Sequence, residues 1–253
     1  MEKGRKAARI GLDSENDIIF MVSNDEDFRV RLEKCLMSLG YTFGEKIRAS
    51  KDGISNRKKT DVLLRADREI GVSIKSSTKT SFHQLDRRRL EVWRQFLKMP
   101  DDIFETIKQA VLRVAKDPNA KFILETDRNT IGEFFAQHLK LMLDEVLVRG
   151  EQNLMVLMIN DKITNKIYVY RMRDVLDFLL ENAKNNIWFT DKGIIKLGDF
   201  VSVQRKGGNG KRVKINKHEW THPGNELQLK FSPLEFARST ERTGAIKFCA
   251  IDG

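Results

Sequence analysis

The chain has 253 residues, of which 40% are hydrophobic and 32% charged, and its 46 Lys and Arg outnumber 36 Asp and Glu for a net charge of +10. That length supports one large domain or two small ones, and the lack of any apolar run near about twenty residues argues against a membrane protein. Cys35 and Cys249 are too few and too isolated for a disulfide framework, and the charged start Met-Glu-Lys-Gly-Arg-Lys has no apolar stretch behind it, so a reduced, cytoplasmic setting is expected.

In chain order, residues 13–23 and 26–39 read as helices. Asp25-Glu26-Asp27 puts acids at the second helix's start, where the helix dipole favours them, and Gly40 is a natural stop. Residues 61–66 and 70–76 alternate as a hairpin around Asp67-Arg68-Glu69. A long helix is expected from Phe82 to Lys98, ahead of Pro100. Further helices follow at 101–116, 128–148 and 172–184, with strands at 153–160, 166–172, 194–206 and 226–231. The economical architecture is one mixed α/β domain spanning 1–253.

The positive excess favours polyanionic partners, nucleic acid above all, and it is clustered. Residues 45–98 carry fifteen Lys and Arg against seven acids, and residues 201–230 carry seven against two.

The first cluster encloses the most informative stretch, Asp61 through Lys75. With Arg68 as the turn centre, Asp61 lies directly across from Lys75, at a Cβ separation of roughly 4.5–5.5 Å. Ser73 and Lys75 are two apart and share that face. Metal-dependent phosphodiester hydrolysis uses such a set: a carboxylate holds Mg²⁺, and an ammonium orients or activates a water. The plain alternative is a solvated cross-strand Asp–Lys pair, worth under about 1 kcal/mol.

These residues resemble the PD-(D/E)XK nuclease motif, with Thr60-Asp61 as its first element and Ser73-Ile74-Lys75 as its second. More narrowly, the chain resembles the small type II restriction endonucleases of the HinP group, which cut GCGC. The likeness runs from Lys59 through Asp86, then through Val201-Ser202-Val203-Gln204-Arg205-Lys206-Gly207-Gly208-Asn209-Gly210-Lys211 and Leu227–Glu235. A weaker match covers Gly4 to Ile18.

The resemblance implies a restriction-endonuclease-like core, a mixed β-sheet flanked by helices. It implies a metal-binding Asp61 and a catalytic Lys75, with Mg²⁺ as cofactor. Ser73 departs from the acid or amide usual at its position, and can reach a metal only as a neutral oxygen or through water. A second carboxylate is then needed. Glu15, which matches a family acid, is the first choice, and Asp86 the second.

DNA-reading segments are implied near 76–90 and 201–231. In the first, Phe82-His83-Gln84 matches a family Phe-Asn-Gln, an aromatic to wedge base steps and an amide to read edges. Arg87, Arg88 and Arg89 are phosphate contacts at best. In the second, Gln204, Arg205, Lys206, Asn209 and Lys211 suit a G·C-rich target.

The implied partners are double-stranded DNA and a cognate DNA methyltransferase, with the enzyme a monomer or weak homodimer that leaves 5′-phosphates. Two other readings use the same residues: a basic DNA-binding module whose nuclease site has decayed, and a repair or nicking nuclease. Asp-x(n)-Ser-x-Lys alone does not separate them. His218 and His222 lack a third ligand nearby for zinc, and His138 reads as a core residue.

Overall fold

A computed structural model of the protein describes residues 2–51, 59–78, 82–208 and 213–253, with side chains from Asp13 onward. In chain order the elements begin α1 (Glu2–Asn24), α2 (Glu26–Ser38), β1 (Arg48–Lys51), β2 (Val62–Arg65), β3 (Glu69–Ser77) and β4 (His83–Arg88). They continue α3 (Leu90–Leu97), α4 (Asp101–Lys116), α5 (Arg128–Leu147), β5 (Leu154–Asp161), β6 (Lys166–Arg171) and α6 (Met172–Ala183). The last are β7 (Ile187–Phe189), β8 (Ile195–Leu197), β9 (Val201–Arg205), β10 (Leu227–Phe231), α7 (Pro233–Thr243) and β11 (Phe248–Asp252). They form two units, each with its own sheet.

The first unit comprises Met1–Ser81, Leu147–Phe178 and Pro233–Gly253. Its six-stranded sheet has the order β1-β2-β3-β5-β6-β11, with β3 and β5 parallel and the other pairs antiparallel. Ser14, Ile18 and Val22 recur every fourth residue on α1 and are buried. With Phe28, Leu32 and Leu36 of α2, Ile18 and Val22 meet one face of the sheet, where Ile70, Val72 and Val156 lie. The Asp25 carboxylate caps α2 by accepting from the Phe28 backbone N–H at 2.9 Å.

One expectation fails here. Cys35 on α2 and Cys249 on β11 are joined as a disulfide, their Cα atoms 5.6 Å apart and 214 residues apart in sequence. Spacing along the chain hid the pairing, because only the sheet order brings β11 to α2.

The second unit comprises Phe82–Val146 and Leu179–Ser232. Its sheet is wholly antiparallel, in the order β4-β10-β9-β8-β7. Leu227, Leu229 and Phe231 alternate inward along β10 and are buried, with Leu229 opposite Val203 and Phe231 opposite Val201 of β9.

The expected helix from Phe82 to Lys98 is corrected: residues His83–Arg88 form strand β4, and α3 begins only at Leu90. β4 owes its conformation to pairing with β10, far away in sequence, while Arg89 is extended (φ −62, ψ 150) and separates strand from helix. The expected strand 194–206 is divided into β8 and β9 at Gly198, whose φ of +67 favours glycine.

Candidate active site

Asp61 leads into β2, with its backbone N–H donating to Val72 O at 2.8 Å. The β2–β3 ladder pairs Val62 with Val72 and Arg65 with Glu69, around a three-residue turn closed by Ala66 N–H to Arg68 O. Asp61 therefore stands opposite Ser73, not Lys75 as the turn-centre argument expects. A two-residue offset leaves the face unchanged, since strand side chains alternate with period two.

The three polar groups meet. Asp61 Oδ2 accepts from the Ile74 backbone N–H at 2.6 Å, from Ser73 Oγ at 3.2 Å and from the Lys75 ammonium at 3.4 Å. Lys75 Nζ also donates to Ser73 Oγ at 2.7 Å and to Ile74 O at 3.0 Å. Asp61 Oδ1 has no hydrogen-bond partner among the described residues. Ser73 is buried, while Lys75 and Asp61 keep 21% and 25% of their side-chain surface exposed. The carboxylate is thus fixed through one oxygen and open at the other.

Glu15 of α1 belongs to the same neighbourhood. Burial pushes its carboxyl above the usual range, and the negative charge of Asp61 adds to the rise, against the opposing pull of Lys51 and Lys75. Lys51, on β1, is a charge that the sequence pattern does not single out.

Among the described residues no three His, Cys, Asp or Glu side chains converge as a preformed metal cage. The donors present are hard oxygens: the open Asp61 Oδ1, the Glu15 carboxylate and the neutral Ser73 hydroxyl. They fit Mg²⁺, which takes one or two carboxylates and keeps several waters. The mutual repulsion of Glu15 and Asp61 is what a divalent cation would relieve. Asp86 has another role in the second unit, where it is buried and paired with Arg88 at 2.7 Å.

A residue missed in the sequence holds the strand lead-in. Glu151 Oε2 accepts from the Thr60 N–H at 3.0 Å and from Thr60 Oγ1 at 2.7 Å, and its Oε1 accepts from the Lys59 N–H. A side chain at Gly71 would meet Thr60 Oγ1 at 2.7 Å and Asn153 O at 2.8 Å, so glycine permits this close approach. Glu151 lies some ninety residues from Thr60 (|i−j| = 91), and no local signal marks it.

The proposed DNA-reading side chains lie in the second unit. Phe82 is half-buried under the Lys196 ammonium, 3.9 Å from the ring centroid. His83 stands opposite Phe231, and Gln84 opposite Lys230. Gln204 pairs with Gln228 across β9–β10. Arg205 Nε donates to Asn225 Oδ1 at 2.8 Å, and burial pulls its guanidinium below the usual range. Lys206 Nζ donates to Pro223 O at 3.2 Å and pairs with Glu226 at 3.3 Å. Asn209 and Lys211 lie outside the described residues.

Arg88 is corrected from a phosphate contact to a structural cation, bound to Asp86 and Glu145 at 2.7 and 2.5 Å and stacked over Trp93. His222 accepts from the Gly224 N–H at 2.9 Å, and His138 Nδ1 is 2.8 Å from Phe134 O.

No family model matches the chain, and no curated protein matches its sequence. In fold it is similar to restriction endonuclease MspI, known from a crystal structure in complex with its cognate DNA. The two share 13% identity at a TM-score of 0.59, over 90% of this chain and 92% of that one. The chain therefore has the restriction-endonuclease fold, an α/β architecture with a mixed β-sheet flanked by helices.

Proposed function

We propose that this protein is a Mg²⁺-dependent type II restriction endonuclease that hydrolyses both strands of duplex DNA at a short G·C-rich palindrome. The observation that carries the reading is the convergence of Asp61, Ser73 and Lys75, with Glu15 beside them, on the β2–β3 hairpin of a chain with this fold.

Asp61 Oδ1 and Glu15 would hold the metal, with Ser73 as a neutral neighbour. When bound, Mg²⁺ polarises the scissile phosphate and lowers the pKa of a water. Lys75 offers its ammonium to the non-bridging phosphate oxygens or to the attacking water, and Ser73 Oγ and Ile74 O fix where that charge stands. Asp61 Oδ2, held by three donors, cannot rotate away, so the carboxylate is set before substrate arrives. The products are a 5′-phosphate and a 3′-hydroxyl.

The HinP resemblance supports GCGC as the target and a cognate methyltransferase as the protecting partner. We assign the chemistry to the first unit and DNA reading to the second, acting together as one nuclease, as a monomer or weak homodimer. A DNA substrate supports a cytoplasmic setting, and the Cys35–Cys249 disulfide stands against the reducing conditions found there. No helix among the described residues is long and apolar enough to cross a membrane.

Digesting a plasmid with and without Mg²⁺ and sequencing the ends tests the reading. Mg²⁺-dependent breaks at one short palindrome on both strands support it. Ser73 motivates a second reading, because the position lacks a charge; duplex binding with no cutting would favour a DNA-binding module with a decayed site. Breaks confined to one strand would favour a nicking or repair enzyme.

A further inference from the structure

The Cys35–Cys249 bond ties an edge strand to a helix, and its two sulfurs stand in different surroundings. β11 is the last strand of the six-stranded sheet and pairs on one side only, with β6. Cys35 is 2% exposed and belongs to the apolar cluster that holds Leu32, Leu36 and Ile251, whereas Cys249 is half-buried. Both cysteines border a cleft of about 360 Å³ between α2 and β11, a size that takes a small molecule.

The cleft is charged. Arg31 and Lys34, four residues and one residue before Cys35, line its α2 side and are exposed. On the β11 side Lys166 is held by Glu241 at 2.8 Å and stands across the ladder from Asp252. Three cations against two acids leave the cleft net positive, with the surplus on the α2 side.

A disulfide is opened by a thiolate that attacks one of its sulfurs, so access decides which sulfur reacts. Apolar packing shields Cys35, and Cys249 Sγ is the sulfur that a molecule in the cleft can reach. Structural bridges resist reduction, whereas exposed ones are the labile, regulatory kind.

We propose that Cys249 is a thiol-exchange site, at which a small anionic thiol entering from the cleft opens the bridge and frees β11 from its covalent tie to α2. The thiolate forms a mixed disulfide with Cys249 Sγ as the bond to Cys35 Sγ breaks. The electron pair leaves on Cys35 Sγ, which takes a proton from water because its apolar surroundings disfavour a thiolate. A second thiolate attacks the sulfur of the bound thiol, releasing Cys249 as a thiolate and the two reagent thiols as their own disulfide. Two electrons thus pass from the thiols to the protein, and an oxidised thiol reverses both steps. The inference stands apart from the nuclease reading, and its test contains no DNA.

The full chain is first oxidised with oxidised glutathione in native buffer. It is then treated with mercaptopropionate or cysteamine at equal thiolate concentration, quenched by alkylation and mapped by mass spectrometry. The mixed disulfide is expected on Cys249, with the alkyl label on Cys35. Mercaptopropionate, an anion, should open the bridge about three- to tenfold faster than the cationic cysteamine, and Arg31→Gln with Lys34→Gln should close that gap. Should the double variant fail to fold, wild type at high salt decides, because screening closes a gap set by those charges. The reduced protein should melt about 5–15 °C below the oxidised one and recover on re-oxidation. A mixed disulfide on Cys35, equal or reversed rates for the two thiols, or a gap that survives both the variant and high salt would overturn the proposal. So would a bridge that opens only in denaturant, an unchanged Tm, or two thiols that do not pair on oxidation.

Discussion

The Lys75 ammonium lies 3.4 Å from Asp61 Oδ2, across a hairpin that keeps both side chains on one face, and Ser73 Oγ bridges them at 2.7 and 3.2 Å. The lysine is thus aimed by a hydroxyl and a backbone carbonyl as well as by its counter-charge. Replacing Lys75 with Gln keeps a hydrogen bonder of similar reach but removes the charge. Lys75→Gln should lower the single-turnover cleavage rate by about 10²–10⁴-fold, the usual scale for a positioned proton-transfer group, while duplex affinity measured without metal changes little. A variant that cuts at the wild-type rate would mean the ammonium takes no part in the reaction.

Glu15 is the acid assigned to complete the metal site in place of the carboxylate that Ser73 lacks. Glu15→Gln should therefore raise the Mg²⁺ concentration for half-maximal cleavage by about tenfold or more, the scale reached even by changes to residues that only support metal ligands. A titration of rate against Mg²⁺ reads this directly. An unaltered midpoint would remove Glu15 from the site.

The same carboxyl makes a separate prediction about stability without metal. Its folded pKa is raised by burial and by Asp61, so the folded state disfavours its ionisation. Any stability tied to the neutral form is present below the unfolded pKa near 4.5 and is lost as pH rises through the folded value. Metal-free Glu15→Gln should then be more stable than wild type at neutral pH, with the difference vanishing at acidic pH. Denaturant titrations at the two pH values check the sign.

Glu151 acts at a distance from the chemistry, through Thr60 and the start of β2. Glu151→Ala removes a charged acceptor shared by two backbone N–H groups and a hydroxyl. It should cost about 2 kcal/mol, or a Tm drop of about 4–8 °C for a chain of this size. Cleavage should fall further than that loss explains at a temperature where the variant is folded, because Asp61 follows Thr60 directly. Thermal melting and single-turnover rates at low temperature separate the two effects.

The residues legible in the sequence are those whose relationship is local. Asp61, Ser73 and Lys75 fall within one hairpin, so period-two alternation alone places them on one face, and that survives a two-residue error in the register. Helices such as Asp101–Lys116 and Arg128–Leu147 show their own periodicity and punctuation. The features that escaped depend on distant partners. Residues His83–Arg88 read as helix because what makes them a strand is β10. Cys35 and Cys249 look isolated until the sheet order brings β11 beside α2. Arg88 resembles part of a solvated arginine run, yet Glu145 and Trp93 draw it inward. Glu151 is hidden for the same reason.

The central claim is that Asp61 turns its open oxygen toward a metal that cuts DNA. The most direct measurement is supercoiled-plasmid cleavage by wild type and Asp61→Ala in Mg²⁺, with duplex binding by both measured in its absence. The account predicts Mg²⁺-dependent double-strand breaks by wild type, none by Asp61→Ala, and binding retained by both. Undiminished cutting by Asp61→Ala would contradict it.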